Sequence, residues 1–223
     1  MEKLPVPNHP DPYKVASSTL LFDSPWIRLR EDIFTLRNGF EGCYAVCGFR
    51  QTACGVLALD EFDRAILVGQ WRHPLKRYSW EIIEGGGAEN ETPLDAIQRE
   101  LAEEAGLQAT IWEPLLYSNL SNSSTDEEAF IFVAKGLCQA PPGARPDAEE
   151  ELTVVREPFS DCLQRVFCGE IADGLSVIAL LAEHARRTGI LPRMEPNIQE
   201  RFFQTPAKHP SEGRTQWDLA EQH

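Results

Sequence analysis

The sequence predicts an α/β fold in which a small antiparallel β-sheet precedes a larger core of strands and helices. Three observations predict this class. Short apolar runs separated by turn residues recur from Ser17 onward, as they do in β-strands. The segment 92–106 carries helix-capping residues at both ends and an apolar face at helical spacing. A longer helical pattern begins at Asp173.

The bulk composition excludes several classes of protein. The chain has 223 residues, of which 42% are hydrophobic, so it can bury the core of one domain with an elaboration. A formal net charge of −14 argues against a nucleic-acid surface, which needs basic patches. There is no signal-like leader, and no apolar run reaches roughly 18 residues. The 6 cysteines lack paired spacing and are expected to be free thiols. We therefore expect a soluble, cytoplasmic protein that binds neither nucleic acid nor a membrane.

The first 50 residues predict an irregular lead-in and then short strands. Residues 1–15 are rich in proline, which argues against regular structure there. The run Trp26–Asp32 alternates apolar and charged residues as a strand does, and Asn38-Gly39 is a hairpin signal. These features predict a small antiparallel sheet.

The core begins with two apolar runs, Cys54–Leu59 and Ala65–Trp71, which predict strands joined by a turn. A further run, Tyr78–Glu84, enters a glycine-rich turn at Gly85.

The segment after these glycines predicts a capped helix. Thr92 is a plausible N-cap, Pro93 takes the first helical position, and Asp95 completes a capping pattern. Gly106 supplies the permissive backbone at the C-terminal end. Four apolar residues share one face of this helix and should pack on a core: Leu94, Ile97, Leu101 and Ala105.

The neighbouring face of the same helix is acidic. Glu100, Glu103 and Glu104 lie at i, i+3 and i+4, with no lysine among them. Three carboxylates at this spacing suit a hard divalent cation such as Mg²⁺, which prefers oxygen ligands. The alternative is an ordinary solvated acidic face.

The remaining elements follow in order. Strands are predicted at Leu107–Tyr117, Phe130–Ala134 and Leu152–Val155, with the polar loop Ser118–Glu128 between the first two. Ser160 is expected to cap a short helix that ends near Cys168, and Asp173 to open a longer helix. The tail 191–223 shows little periodicity. It is expected to be disordered or to wrap a partner subunit, with Trp217 as its anchor.

The spacing around the capped helix carries a family resemblance. Gly85 is followed after five residues by Glu91, then after seven by Arg99-Glu100-Leu101; after one more residue come Glu103-Glu104, and after another Gly106-Leu107. This pattern matches every defined position of the Nudix box, so the chain resembles the Nudix hydrolases. The resemblance implies an α/β/α sandwich with a mixed sheet over residues 51–190, preceded by the small N-terminal sheet of residues 1–50.

The resemblance also implies roles for the box residues. Nudix enzymes hydrolyse a diphosphate that joins a nucleoside to a second group, with Mg²⁺ or, as a substitute, Mn²⁺. The implied metal ligands are carboxylates of the acidic face and one backbone carbonyl: Glu100, Glu103, Glu104 and Glu84. Glu103 is also a candidate for a direct part in catalysis. Four residues would support the box structurally, two of them as an ion pair: Glu91 and Arg99, with Gly85 and Gly106.

A second motif narrows the resemblance. The segment Gln70-Trp71-Arg72-His73-Pro74, followed by Trp80-Glu81 and the box glycines, is similar to the ADP-ribose pyrophosphatase and sugar-nucleotide hydrolase branch. That branch commonly uses its N-terminal sheet for homodimerisation and for part of the nucleotide site.

The branch implies four substrate contacts, each with an alternative. Trp26 would stack on adenine with Tyr44 as the opposite wall, or both would pack a sheet or dimer interface. Arg72 would bind the diphosphate, or form a surface salt bridge. Glu127 would border the site, or lie in a solvated loop. Glu81 could add a metal or supporting role.

Two features leave the substrate and the general base open. The loop Ser118–Glu128 has Ser121-Asn122 where the branch more often has a proline-glycine pair. Relatives carry an acidic residue before the last strand that can act as base, and here Glu151 or Glu149 could do so. The favoured function is hydrolysis of ADP-ribose to AMP and ribose 5-phosphate. GDP-mannose or another sugar nucleotide is the alternative substrate, and a Nudix-fold nucleotide-binding or regulatory module without turnover is the alternative class.

Overall fold

The computed structural model describes residues 11–88, 90–143, 151–190 and 194–204. It divides into two compact units. The first contains residues up to Arg50 together with Ser121–Asp126, and the second contains Gln51–Leu120 and the described residues from Glu127 onward.

The first unit is an antiparallel sheet of three strands in the order β1-β2-β3. The strands are β1 (Tyr13–Asp23), β2 (Ile27–Leu36) and β3 (Glu41–Phe49). Gly39 has a φ of +84° in the β2–β3 turn, a conformation that glycine adopts without strain. The segment Ser121–Asp126 joins this unit, since the Cys47 amide donates to the Ser124 carbonyl at 2.9 Å. The predicted small N-terminal sheet is therefore present.

The second unit contains two sheets. Its strands are β4 (Thr52–Ala58), β5 (Arg64–Arg72), β6 (Arg77–Glu81), β7 (Ile83–Gly87), β8 (Leu107–Asn119), β9 (Glu128–Gln139) and β10 (Thr153–Pro158). One sheet has the order β7-β4-β9-β8 and the other β10-β5-β6. The β4–β9 pairing is parallel and the other pairings are antiparallel, which makes the larger sheet mixed, as predicted. The two strands predicted around the 60–64 turn, β4 and β5, belong to different sheets.

Two helices cover opposite faces of the larger sheet. They are α1 (Pro93–Ala105) and α3 (Gly174–Arg187); the shorter α2 (Phe159–Phe167) and α4 (Pro196–Arg201) complete the described helices. Alternate residues of β4 and β9 point to opposite sides, so Val56 and Phe132 pack with α1 while Leu57 and Ile131 pack with α3. The result is the predicted helix–sheet–helix sandwich.

The start of α2 corrects a prediction. Pro158, not Ser160, stands at its N-cap, and no side chain caps the helix. The amide of Phe159 instead donates to the Asp63 carbonyl at 3.0 Å, so a tertiary contact replaces the local cap. Asp173 caps α3 as predicted, by accepting from the Ser176 amide at 2.9 Å.

The described part of the C-terminal tail, residues 194–204, is built into the core, whereas the sequence led us to expect a disordered or partner-wrapping tail. Residues 196–201 form α4, and Phe202 is fully buried against Phe130 and Phe132 of β9. The sequence around Phe202 has no helical or strand periodicity, so it did not predict that this single aromatic side chain packs in the core. Trp217, the predicted anchor, lies outside the described residues.

Candidate active site

The acidic helix of the sequence analysis is α1, and its first turn is capped as predicted. The Thr92 hydroxyl accepts from the Asp95 amide at 3.0 Å, and the Asp95 carboxylate accepts from the Thr92 amide at 3.4 Å. Pro93 occupies the first helical position, where a missing N–H leaves nothing unsatisfied. Gly106 ends the helix with a φ of +64°. Local sequence therefore determines both ends of the element that carries the acidic face.

The three glutamates of this face have different surroundings. Arg99 donates from one nitrogen, Nη1, to Glu100 at 2.7 Å and to Glu103 at 2.8 Å. Glu104 points inward and is 6% exposed. Among the described residues, no three His, Cys, Asp or Glu side chains are grouped closely enough to hold a metal ion. Arg99 holds the Glu100 and Glu103 carboxylates on the same face of α1.

Arg99 also ties the helix to the turn before it. It donates to the two carboxylate oxygens of Glu91 at 2.9 and 3.1 Å and to the Gly86 carbonyl at 3.0 Å. The Glu91 carboxylate in turn accepts from the Ala88 amide at 3.0 Å. The hydrogen bond from Arg99 lowers the pKa of Glu91 below its usual range, so this carboxylate stays charged. The ion pair expected from the sequence is present.

Gly85 makes room for the acidic face. A Cβ built on this residue would lie 2.1–2.3 Å from atoms of the Glu100 carboxyl end, closer than any real contact. Because Gly85 has no side chain, the Glu100 carboxylate can lie against β7 at this residue. Gly85 directly follows Glu84, whose backbone carbonyl is also a predicted metal ligand. Carboxylate and carbonyl oxygens are the ligands that Mg²⁺ and Mn²⁺ prefer. The donor set fits a hard divalent cation by its chemistry.

Arg72 is already paired in the structure. Its Nε and Nη2 donate to the two carboxylate oxygens of Glu81 at 2.9 and 2.5 Å. Gln70 also donates to Glu81, at 3.3 Å. Glu81 raises the pKa of the Arg72 guanidinium, although burial opposes this effect. The Arg72 side chain remains 39% exposed, so one edge of its guanidinium can still contact a ligand. The structure thus contains the alternative contact, a salt bridge, and leaves the diphosphate role as a prediction.

Sequence reasoning missed a buried group behind β7. The Ser176 hydroxyl accepts from the Ile82 amide at 2.9 Å and lies 3.0 Å from the Glu84 carboxylate and 2.9 Å from Asp173. Burial raises the pKa of Glu84 well above its usual range, and the hydrogen bond to Asp173 raises it further. Burial alone would also raise the pKa of Asp173, but its hydrogen bonds with Glu84 and Ser176 outweigh burial and lower it. Asp173 was predicted only as a helix start, and nothing local marks Ser176 as a partner of Ile82 and Glu84, because both lie more than 90 residues away in sequence.

Comparison with known proteins identifies the family of this site. The NUDIX domain family model matches residues 49–167, which is more than half of the chain and includes all of α1. The chain belongs to the NUDIX family.

Three known proteins show what this Nudix chain is similar to. An ADP-ribose pyrophosphatase of Mycobacterium tuberculosis is 33% identical over 141 residues, which cover 61% of this chain and 67% of that protein. A methanol dehydrogenase activator of Bacillus methanolicus is 28% identical over 167 residues, covering 75% of this chain and 90% of that protein. A solved structure of an ADP compounds hydrolase superposes with a TM-score of 0.69 over 81% of this chain and 98% of that one. At 20% identity, this last match supports the fold.

Two predicted substrate residues lie in the first unit, outside the Nudix core. Trp26 lies directly before the first residue of β2, and its side chain is exposed, at 65%. Tyr44 is on β3, where its hydroxyl donates to the Ser123 carbonyl at 2.5 Å and its ring packs edge-on against Tyr13. Tyr44 thus packs within its own sheet, and the substrate roles of both Tyr44 and the exposed Trp26 stay predictions.

The two remaining described candidates, Glu127 and Glu151, each lie just before a strand, β9 and β10 respectively. The Glu127 carbonyl accepts from the Leu120 amide at 3.0 Å and closes the stem of the Ser118–Glu128 loop. Glu151 is exposed and lies two residues before the start of β10. Glu149, the other candidate for the general base, lies outside the described residues.

Proposed function

We propose that this Nudix hydrolase cleaves the diphosphate of ADP-ribose in a Mg²⁺-dependent reaction and releases AMP and ribose 5-phosphate. The observation that carries the proposal is the complete Nudix box, with three carboxylates on one face of α1 beside the glycine that admits Glu100. The similarity to an ADP-ribose pyrophosphatase at 33% identity supports the choice of substrate.

Bound Mg²⁺ would neutralise the diphosphate and lower the pKa of a coordinated water. Glu100, Glu103, Glu104 and the Glu84 carbonyl would hold the ion. Arg99 would hold the Glu100 and Glu103 carboxylates together on this face, because it already binds both of them. Arg72 would bind a diphosphate oxygen through its exposed edge while Glu81 fixes its direction.

Three further assignments belong to this proposal. Trp26 would stack on adenine, since its exposed indole offers a face to a base. Glu127 would border the site through the loop stem. Glu151 would accept a proton from the attacking water, with Glu149 as the alternative base.

We also propose that the protein is a cytoplasmic homodimer joined through the N-terminal sheet. Among the described residues, no helix combines the length and the apolar character needed to cross a membrane. The three-stranded sheet exposes large apolar side chains, an arrangement typical of an interaction surface: Tyr13, Val15, Leu21, Phe22, Ile33 and Phe49. Light scattering should report twice the chain mass of 25.1 kDa; a mass of one chain would contradict the dimer.

The deciding experiment is a substrate panel with Mg²⁺ in which the products are identified by chromatography. The panel contains ADP-ribose, GDP-mannose, UDP-glucose and NADH. AMP and ribose 5-phosphate formed fastest from ADP-ribose support the proposal. Faster turnover of GDP-mannose would preserve the mechanism and overturn the substrate. No turnover of any compound, with Mg²⁺ binding still measurable, would favour the regulatory module, a role in line with the name of the Bacillus methanolicus relative.

A further inference from the structure

The described C-terminal residues 194–204, here called the strap, are built into the Nudix core. Phe202 is fully buried, and its ring meets Phe130 at 5.0 Å and Phe132 at 5.1 Å, edge to face in both cases. Met194 and Ile198 pack against the same cluster, which also contains the apolar face of α1. The strap is therefore held on the side of the sheet that carries the acidic helix.

The strap completes the first turn of α1. The Phe202 carbonyl accepts from the Leu94 amide at 3.3 Å. The first amides of a helix have no partner within the helix. Here Pro93 has no amide hydrogen, Thr92 binds the Asp95 amide, and the strap binds the Leu94 amide in between. One of the donors at the start of the acidic helix thus depends on a segment about 100 residues further along the chain.

The strap also reaches the stem of the Ser118–Glu128 loop. Arg201 forms an ion pair with Glu128, the first residue of β9. Tyr117, near the end of β8, donates its hydroxyl to the other oxygen of Glu128 at 2.5 Å. The Arg201 guanidinium lies 5.0 Å from the Tyr117 ring centre, within the range of a cation–π contact. Arg201 therefore restrains Glu128 through an ion pair and Tyr117 through a contact with its ring.

These contacts stand next to a predicted substrate residue. Glu128 directly follows Glu127, and the backbone bond from Leu120 to Glu127 closes the same stem. A guanidinium that binds a carboxylate and an aromatic ring at once restricts both. Without Arg201, the Glu128 carboxylate would lose its ion pair and keep the hydrogen bond from the Tyr117 hydroxyl. The loop stem would then become more mobile at Glu127.

We propose that the strap positions both the Nudix helix and the stem of the substrate loop, and that Arg201 is a positioning residue for substrate binding. Arg201 acts through Glu128 and Tyr117 and takes no part in the chemistry. This inference rests on the proposed function, because it assigns the loop stem to the substrate site of that reaction.

The test compares Arg201→Ala with Arg156→Ala in the full chain. Arg156 is an exposed arginine on β10, so its replacement removes the same atoms from a surface position. Arg201→Ala is expected to raise KM for ADP-ribose about tenfold, as for loss of one charge-assisted hydrogen bond, with kcat changed less than about twofold. Arg156→Ala should leave both constants at the wild-type values. An unchanged KM in Arg201→Ala would overturn the proposal.

A second variant keeps the test decisive if Arg201→Ala is poorly folded. Tyr117→Phe removes the hydroxyl bond to Glu128 and retains the ring that packs at 5.4 Å from Phe130. It should raise KM several-fold with an unchanged melting temperature. A wild-type KM in Tyr117→Phe would contradict the positioning role if Arg201→Ala also lost kcat and stability along with its rise in KM. The strap would then be a purely structural element.

Hydrogen exchange separates failure of this inference from failure of the proposed function. In Arg201→Ala the Leu120 amide should exchange faster than in wild type, whatever the substrate is. If the wild type does not hydrolyse ADP-ribose but this change in exchange occurs, the proposed function fails and the positioning of the stem stands. If ADP-ribose is hydrolysed and Leu120 exchanges at the wild-type rate, the positioning inference fails alone.

Discussion

Burial distinguishes Glu104 from the other two glutamates of the acidic face. Glu100 and Glu103 bind Arg99, whereas Glu104 lies inside at 6% exposure. A bound divalent cation would offset the cost of burying the Glu104 charge.

Glu104→Gln should therefore lower kcat by more than about 100-fold, because an amide cannot supply the charge of a metal-binding carboxylate. Circular dichroism should show an unchanged fold. Glu61→Gln makes the same change on the exposed β4–β5 turn and should retain wild-type activity. Activity of Glu104→Gln close to that of this control would contradict the metal-binding assignment.

Gly85 offers a steric test of the same face. In Gly85→Ala the added methyl group would lie 2.1–2.3 Å from the Glu100 carboxyl end, so this flexible side chain must move. We expect Mg²⁺ affinity, measured by calorimetry, to fall about tenfold or more. Gly174→Ala serves as the control, because a Cβ there meets nothing within 4 Å. Equal Mg²⁺ affinities in the two variants would show that Glu100 does not need its place against β7.

Helix α1 is the element whose stability the local sequence controls most directly. Its first turn uses the Thr92 hydroxyl, the Asp95 carboxylate and, from the strap, the Phe202 carbonyl. Each of these groups satisfies a backbone amide that the helix itself leaves without a partner.

Thr92→Ala should reduce the free energy of unfolding by about 1 kcal/mol, the usual effect of removing an N-cap hydroxyl. Thr92→Ser retains the hydroxyl and should lose much less. Urea unfolding monitored by circular dichroism gives both values. If the serine variant were as destabilised as the alanine variant, the methyl group of Thr92, and not its hydroxyl, would be the stabilising part.

At the scale of the whole Nudix core, an ion network around Glu183 joins α3 to two other elements. Glu183 is almost fully buried and binds Arg186 and Arg187. Arg186 also binds Glu113 of β8, and Arg187 binds Asp63 in the β4–β5 turn. Burial alone would raise the pKa of Glu183, but the hydrogen bonds from the two arginines outweigh it and lower the pKa below the ordinary 4.5.

This lowered pKa predicts a loss of stability in acid. The charged carboxylate stabilises the folded state at pH values above 4.5, and the contribution disappears as the pH falls through the lowered pKa of the folded state. Glu183→Gln should reduce the free energy of unfolding by about 2 kcal/mol at pH 7, less than for a fully buried pair because both arginines reach solvent. Urea unfolding should show this difference narrowing below about pH 4.

The control for this prediction is Glu170→Gln. Glu170 pairs with Arg165 at the surface with 47% of its side chain exposed, so its replacement should change stability by less than about 1 kcal/mol. A difference between wild type and Glu183→Gln that stays constant from pH 7 to pH 3 would show that the network does not depend on the ionised carboxylate.

The sequence by itself determined the elements whose signals are local. The capping residues of α1, the glycine that ends it and the alternation of the N-terminal strands each act on neighbours within a few residues, so pattern alone predicts them. The same applies to the box, because a helix brings residues at i, i+3 and i+4 onto one face whatever surrounds it.

Only the tertiary structure decided which distant groups meet. Ser176 bonds to Ile82 and Glu84 across more than 90 residues, and Phe202 packs against Phe130 and Phe132 of β9, which lie 72 and 70 residues earlier. It also showed the contacts of Arg72 with Glu81 and of Tyr44 with Tyr13, which no local pattern indicates. Such contacts depend on how sheets and helices stack. Packing is set by the shape and burial of all side chains together, and no short stretch of sequence encodes it.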